Sequence, residues 1–476
     1  MPFATVRILL AAALLLLART AVAAAPCTPP AALADGWRIA PEVAAAGFDA
    51  ERLCTILQSF AASPVNLHGL VIERAGALVA EEYREGPDSR SYTLFRRRTA
   101  FDAQTLHDVR SITNSVFGLL WGIAQADGTV PPLAAPLLEQ FPQLANLKND
   151  GRERITVEDA LAMRSGLDWD ESGSYRSWSN DEHGLMWRSD QERYVFDRPM
   201  AAPAGTRFNY NGGLPAVLAL VLARGTHMAL PEFARQRLFE PLGISDWEWT
   251  RDLQGRPLAY SGLRLRPRDL AKIGRMVLDG GRWNGREIVP ASWIAASLAP
   301  HVATGEYGYF WWRGVVRAGE RTYEWRGGIG NGGQRLFLVP ALDLVMVTTA
   351  GEYNDHGIGR ELFGLLTQVV GAVQGSSVPA PHAVPVAAGP ASAAAPAVFT
   401  RATVQSVSEE DADGRVYIRL KLRAIAQYPF ATLTYRVPDR RLLEGVQPGA
   451  SVDFRAERRE GENTLIELHP LPQPSQ

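Results

Sequence analysis

Apolar positions along the 476-residue chain recur with two different periods. In residues 68–83 they alternate around Gly76, with Leu70 and Ile72 on one arm and Leu78 and Ala80 on the other. A period of two about a glycine predicts a β-hairpin. Residues 116–124 are continuously apolar and run out by Gly128, the pattern of a buried helix. Thr156-Val157-Glu158-Asp159 has the capping-box form that opens a helix. Val157 and Leu161 would share that helix's buried face, and Gly166 would stop it. Residues 230–239 form another helix, ended by Pro241. In 267–278, Leu270, Ile273 and Val277 fall on one face, with Gly280-Gly281 as the stop. Residues 311–316, 334–339 and 344–349 read as strands, the last two joined by a turn at 340–343. Strands toward both ends with helices between them predict an α+β domain: an antiparallel sheet with a helical lobe.

The two ends differ from this body. Arg7 precedes an apolar run over 8–17, and Ala21-Val22-Ala23 supplies small residues for cleavage. Residues 1–25 therefore read as an export signal, too short to span a bilayer. The mature protein is expected to be periplasmic or secreted, without stable membrane insertion. In that setting Cys27 and Cys54 either form one disulfide or stay as two thiols. The body is expected over 36–371, followed by an Ala/Pro-rich extended linker over 372–397. The tail, 398–470, holds five short strands at 403–407, 416–422, 432–437, 451–456 and 464–468. Five strands between Gly, Asp and Pro turns suit a small all-β barrel.

Composition narrows the chemistry. A net charge of −2 gives no reason to expect nucleic acid. Two Cys and eight scattered His show no zinc-type spacing, so neither metal nor cofactor is expected. Lysine occurs only at 148, 272 and 421.

The chemistry-bearing stretch is 107–118, a polar turn running into the apolar helix. Ser111 falls where that helix begins, near free backbone N–H groups and the positive end of the helix dipole. By position alone a helix cap is the commoner role for such a Ser. Three other stretches follow in order: Ser165-Gly166-Leu167 at a helix end, 203–213 with Tyr210-Asn211-Gly212 before an apolar helix, and the glycine-rich run 327–333.

Together these four resemble the serine β-lactamase and penicillin-binding-protein superfamily, in its class C and esterase-like branch. The resemblance implies a Ser-x-x-Lys nucleophile motif, with Ser111 as the acylated residue. It places Tyr210 as the second-motif tyrosine, with Gly212 where an Asn usually sits. It also implies an oxyanion hole from the Ser111 N–H and a donor near Gly330 or Asn331. The substrate would carry an ester or amide: a β-lactam, a peptide or a small ester. The tail is similar to the OB-type barrels of periplasmic copper-efflux chaperones, on Tyr428-Pro429-Phe430-Ala431-Thr432-Leu433 and on 443–449. Ala431 and Leu433 stand where that family has its thioether ligands. No His, Met or Cys lies between Phe399 and Leu468, so Cu(I) has no soft ligand there.

One departure governs the expected activity. The lysine position of the first motif holds Asn114, which cannot accept a proton. The third motif lacks its cationic residue as well. The site then has a nucleophile with little to activate it. Three readings follow: a weak serine hydrolase, a pseudoenzyme binding a cell-wall or peptide-like ligand, or a hydrolase with another base. Arg110 cannot serve as that base, because guanidinium does not deprotonate. His107 should leave on another face of the turn, and His183 lies on a polar rim segment, 172–190. Trp169, Trp178, Trp187, Trp311 and Trp312 are either cleft-lining or core residues.

Overall fold

The computed structural model describes residues 27–93, 95–355, 357–374, 399–407, 415–422, 432–459 and 462–471. Residues 1–26, on which the expected export signal falls, most of the linker and the Tyr428–Ala431 stretch lie outside the described residues.

A seven-stranded sheet carries the body. In chain order its strands are β1 (Arg38–Ile39), β2 (Leu67–Arg74) and β3 (Ala77–Tyr83) from the N-terminal part. Before the sheet resumes come β4 (Glu85–Asp88), β5 (His107–Asp108), β6 (Arg207–Phe208) and β7 (Leu263–Leu265), all short and outside it. The sheet then takes up β8 (Trp312–Ala318), β9 (Arg321–Gly330), β10 (Gln334–Val339) and β11 (Leu344–Ala350). Their order is β1-β3-β2-β11-β10-β9-β8, antiparallel except for the β1–β3 pair. An N-terminal strand and the last body strand therefore meet at β2–β11 in the middle of the sheet. The hairpin read from alternation is β2–β3, turning at Ala75 and Gly76, both with positive φ.

Six helices of the body matter here: α1 (Ala50–Ala62), α2 (Ile112–Ala126), α3 (Val157–Leu161), α4 (Gly213–Thr226), α5 (Pro267–Leu278) and α6 (Ile358–Gly371). The Thr156–Asp159 capping box is present with both reciprocal bonds, although α3 is only one turn long and ends before Gly166. Helix α2 is buried on every side over its first three turns, as its unbroken apolar run requires. Cys27 and Cys54 are disulfide-bonded, tying the N-terminal arm to α1.

The glycine-rich run was expected to lead into a strand. Its residues 327–330 are themselves the end of β9. Glycine disfavours strands in isolation, but here it lets β9 lie against the start of α2: a Cβ at Gly328 would sit 2.9 Å from Ile112.

The tail is all-β, with strands β12 (Phe399–Val407), β13 (Val416–Leu422), β14 (Thr432–Val437), β15 (Ser451–Arg459) and β16 (Glu462–Pro470). Pairings run β12-β13-β14-β16-β15 and return to β12, so these five strands close on themselves. Body strand β6 adds to the rim: Arg207 and Phe208 pair in parallel with Phe399 and Thr400. Arg207 also lies 3.7 Å from Asp453. The tail thus docks on the strand that leads directly to Tyr210.

Candidate active site

The segment entering α2 passes a strained corner. Arg110 has φ of 52°, a left-handed value uncommon for residues other than glycine. Its guanidinium pins that conformation, donating to Ser89 O at 2.5 Å, lying 3.3 Å from Asp108 and 4.2 Å above the Tyr353 ring. Ser111 comes next. It occupies the N-cap of α2, yet its side chain makes no capping bond. The hydroxyl instead interacts with the Tyr210 phenol, favouring its ionised form, and lines a cavity of about 640 Å³. The Ser111 N–H has no acceptor among the described residues, which leaves it available to a ligand oxygen.

Asn114, one turn along α2, donates Nδ2 to Tyr210 Oη at 2.7 Å. Its Oδ1 has no partner among the described residues. The Tyr210 ring is stacked on Trp312 at 5.9 Å and meets Tyr307 edge-on. Ser111 and Asn114 on α2 therefore meet Tyr210 from a segment remote in sequence, Asn114 through a hydrogen bond and Ser111 through its influence on the phenol. Of the third-motif pair, Asn331 lines the same cavity and is held to Asn354 by two bonds, of 2.9 and 3.3 Å. Gly330 does not line the cavity. It packs on the segment entering α2, where a Cβ would meet Val109 O at 2.4 Å.

Two residues at the heart of the site escaped the sequence reading: Glu171 and Glu182. Both are buried beside Gly212, where a Cβ would lie 3.1 Å from Glu171 Oε1 and 3.0 Å from Glu182 Oε2. The small residue at that motif position is what admits the carboxyls, and it was the one available signal. Glu171 accepts from Gly212 N at 2.6 Å, Trp169 Nε1 at 2.6 Å and Tyr175 Oη at 3.1 Å. Burial outweighs these bonds and pushes its carboxyl up to about 7. Glu182 is raised well above the usual range, by burial and by Glu171. Burial and Glu171 also drive the Tyr210 phenol up, so at neutral pH it holds its proton.

The Glu171 shift has a testable consequence. A carboxyl raised on folding favours the folded state below its unfolded value near 4.5, and that contribution is lost as pH rises through about 7. The melting temperature of the wild type should therefore fall across this window. In Glu171→Gln the fall should be shallower, measured by thermal melts in matched buffers. An equal slope in both proteins would show that Glu171 does not titrate there.

The rim is aromatic and cationic. Trp178 and Trp187 are 68% and 47% exposed and flank His183, with Trp178 edge-on to it at 5.0 Å. His183 has both ring nitrogens engaged, by Tyr175 O and Trp187 Nε1. Of the five tryptophans read as either cleft-lining or core, Trp169, Trp311 and Trp312 are core residues, and Trp178 and Trp187 line the cavity. His107 is fully buried and faces away from the cavity. Arg90, Arg96, Arg110 and Arg176 line the mouth. Lys148 and Lys272 pair with Glu139 and Asp269, so neither takes the place Asn114 leaves.

A mixed sheet with a buried helix crossing it, a hydroxyl at that helix mouth and a tyrosine facing it from a distant segment define the serine β-lactamase and penicillin-binding-protein class. Comparison with known proteins agrees: the β-lactamase family description matches residues 70–362, and the chain belongs to that family. It is 28% identical over 301 residues to the 6-aminohexanoate-dimer hydrolase of Paenarthrobacter ureafaciens, covering 58% of this chain and 70% of that protein. Among solved structures, a putative 6-aminohexanoate-dimer hydrolase from Bacillus anthracis superposes with TM-score 0.52 at 19% identity, over 67% of this chain and 82% of the other. A family VIII carboxylesterase gives 0.51 at 14% identity, over 68% and 98%. The fold is that of an enzyme family acting on amide and ester bonds.

Proposed function

We propose that this protein is an exported serine hydrolase that opens a linear amide or ester through an acyl group on Ser111, slowly. The observation that carries the reading is the Ser111 hydroxyl, free of its capping role and beside the Tyr210 phenol at the wall of the cavity. The Ser111 N–H and the Asn331 region would hold the oxyanion. A linear amide is favoured because the curated relative is named for hydrolysing a 6-aminohexanoate dimer. The Arg-lined mouth suits a substrate with a carboxylate at one end. The disulfide and the apolar N-terminal run support export.

The rate is low for a physical reason. Asn114 replaces the expected base, and Tyr210 is held as a phenol. A missing general base removes about 10²–10⁴ in rate. The same two facts support a second reading, in which the cleft only binds a peptide-like or cell-wall ligand. Incubation of the full chain with a fluorophosphonate probe, followed by intact-protein mass spectrometry, separates the two. The hydrolase reading requires one adduct on the wild type and none on Ser111→Ala. No adduct on either protein would leave the binding reading.

A further inference from the structure

We propose that His68, His107 and Asp88 form a buried divalent-cation site of the Zn²⁺ class, placed behind the nucleophile segment and outside the cavity. The three residues come from β2, β5 and the end of β4. Both rings are fully buried and Asp88 is 7% exposed. His68 Nδ1 lies 2.8 Å from His107 Nε2, Asp88 Oδ1 lies 3.9 Å from the same Nε2, and all three atoms fall within 4.8 Å of one another.

Hydrogen-bond direction decides what the inner nitrogens can do. His68 Nε2 faces Asn66 Oδ1 at 3.0 Å, and that amide is oriented because its Nδ2 donates to Pro87 O at 2.8 Å. His107 Nδ1 faces Asp108 O at 3.0 Å. Both partners only accept, so both outer nitrogens carry hydrogen. The inner nitrogens are then left with one lone pair each, pointing at one another. A cation must lie between them, either a shared proton or a metal ion. An outer N–H held by a carbonyl is also the arrangement that orients metal-bound histidines. With Asp88, the donor set is two neutral imidazoles and one carboxylate, which suits Zn²⁺.

The geometry needs small adjustments only. Metal–ligand bonds of about 2.0–2.2 Å set neighbouring ligand atoms roughly 3.3 Å apart in a tetrahedron. The two rings would open slightly and Asp88 would move in. Tyr353 Oη donates to Asp88 Oδ1 at 2.6 Å and orients it. Two backbones close tightly around His68. A Cβ at Gly86 would lie 2.7 Å from its Nε2, and one at Gly351 would lie 2.7 Å from its Cε1. The nearby Arg110 charge is paired with Asp108. An ion here would displace the one shared proton and tie β2, β4 and β5 together. Ser89, which follows Asp88, and Arg110 and Ser111, which follow β5, all line the cavity, so the site acts by positioning them.

The test uses the full chain, stripped with a chelator and titrated with Zn²⁺ against a chromophoric competitor, and with Co²⁺ followed by visible absorption. The proposal expects one equivalent bound, release of about one proton and a higher melting temperature with metal. Asp88→Asn, with its far-ultraviolet circular dichroism unchanged, should bind at least about tenfold more weakly, and His68→Gln should bind no stoichiometric metal. Failure of the stripped wild type to bind either ion would assign the gap to a proton and overturn the proposal. Undiminished binding in both variants would overturn it equally.

Discussion

Asn114→Lys is expected to raise turnover of an activated ester by about 10²–10⁴-fold over the wild type. The surroundings already suit a cation. Asn114 is 2% exposed, within 2.7 Å of the Tyr210 hydroxyl, and its Oδ1 loses no bond when it is replaced. An ammonium there would stabilise the phenolate of Tyr210 and ease proton removal from Ser111. Glu171 and Glu182 would offset the cost of burying that charge by ionising more readily. The measurement is kcat/KM with a chromogenic ester, with Ser111→Ala/Asn114→Lys as control. A soluble, folded Asn114→Lys protein with no gain over that double variant would show that the remaining groups are not aligned for hydrolysis, and would favour the ligand-binding reading.

Gly330→Ala should slow fluorophosphonate labelling of Ser111 by about 10²–10³-fold, the loss associated with one oxyanion donor. The added methyl would stand 2.4 Å from Val109 O and 3.0 Å from Arg110 Cβ. Both neighbours are held: Val109 N donates to Leu263 O, and Arg110 is fixed by Ser89, Asp108 and Tyr353. The end of β9 must therefore yield, carrying Asn331 away from Ser111. Overpacking of this kind costs about 1–3 kcal/mol of stability. Gly364→Ala is the matched control, because nothing lies within 4 Å of its Cβ position in α6. It should label at the wild-type rate and gain up to about 1 kcal/mol from the helix. Equal labelling by Gly330→Ala and Gly364→Ala would remove Gly330 from the positioning of the site.

Much of this was legible in residue order. Alternation placed the β2–β3 hairpin and the adjacent strands β10 and β11, whose spacing and turn at Asp343 match the reading. An unbroken apolar run placed α2, and a three-four period placed α5. Motif order singled out Ser111, Asn114 and Tyr210, which the fold brings together, and it marked Asn114 as standing where the resembling family has its lysine. Turn chemistry marked the five tail strands, whose closure into a barrel agrees with that count. The likeness of the tail to copper-chaperone barrels rests on the stretches beginning at Tyr428 and at Leu443; residues 428–431 of the first lie outside the described residues.

Local pattern determined the elements because a helix or strand must bury one face, and that demand is written at spacings of two to four residues. It also determined which chemical groups are present and which is missing. It could not say where a polar group would stand after folding. Glu171 and Glu182 carried no signal of their own in the sequence, and they are buried together only because the chain turns them onto Gly212. His68, Asp88 and His107 carry no metal spacing, and they meet because β2, β4 and β5 converge just before the segment that enters α2. Whether a tryptophan faces ligand or core was likewise settled by contacts between distant segments. Burial and charge proximity depend on the three-dimensional neighbourhood of each atom, and those two quantities, which fix proton affinity and ligand geometry, were the tertiary structure's to decide.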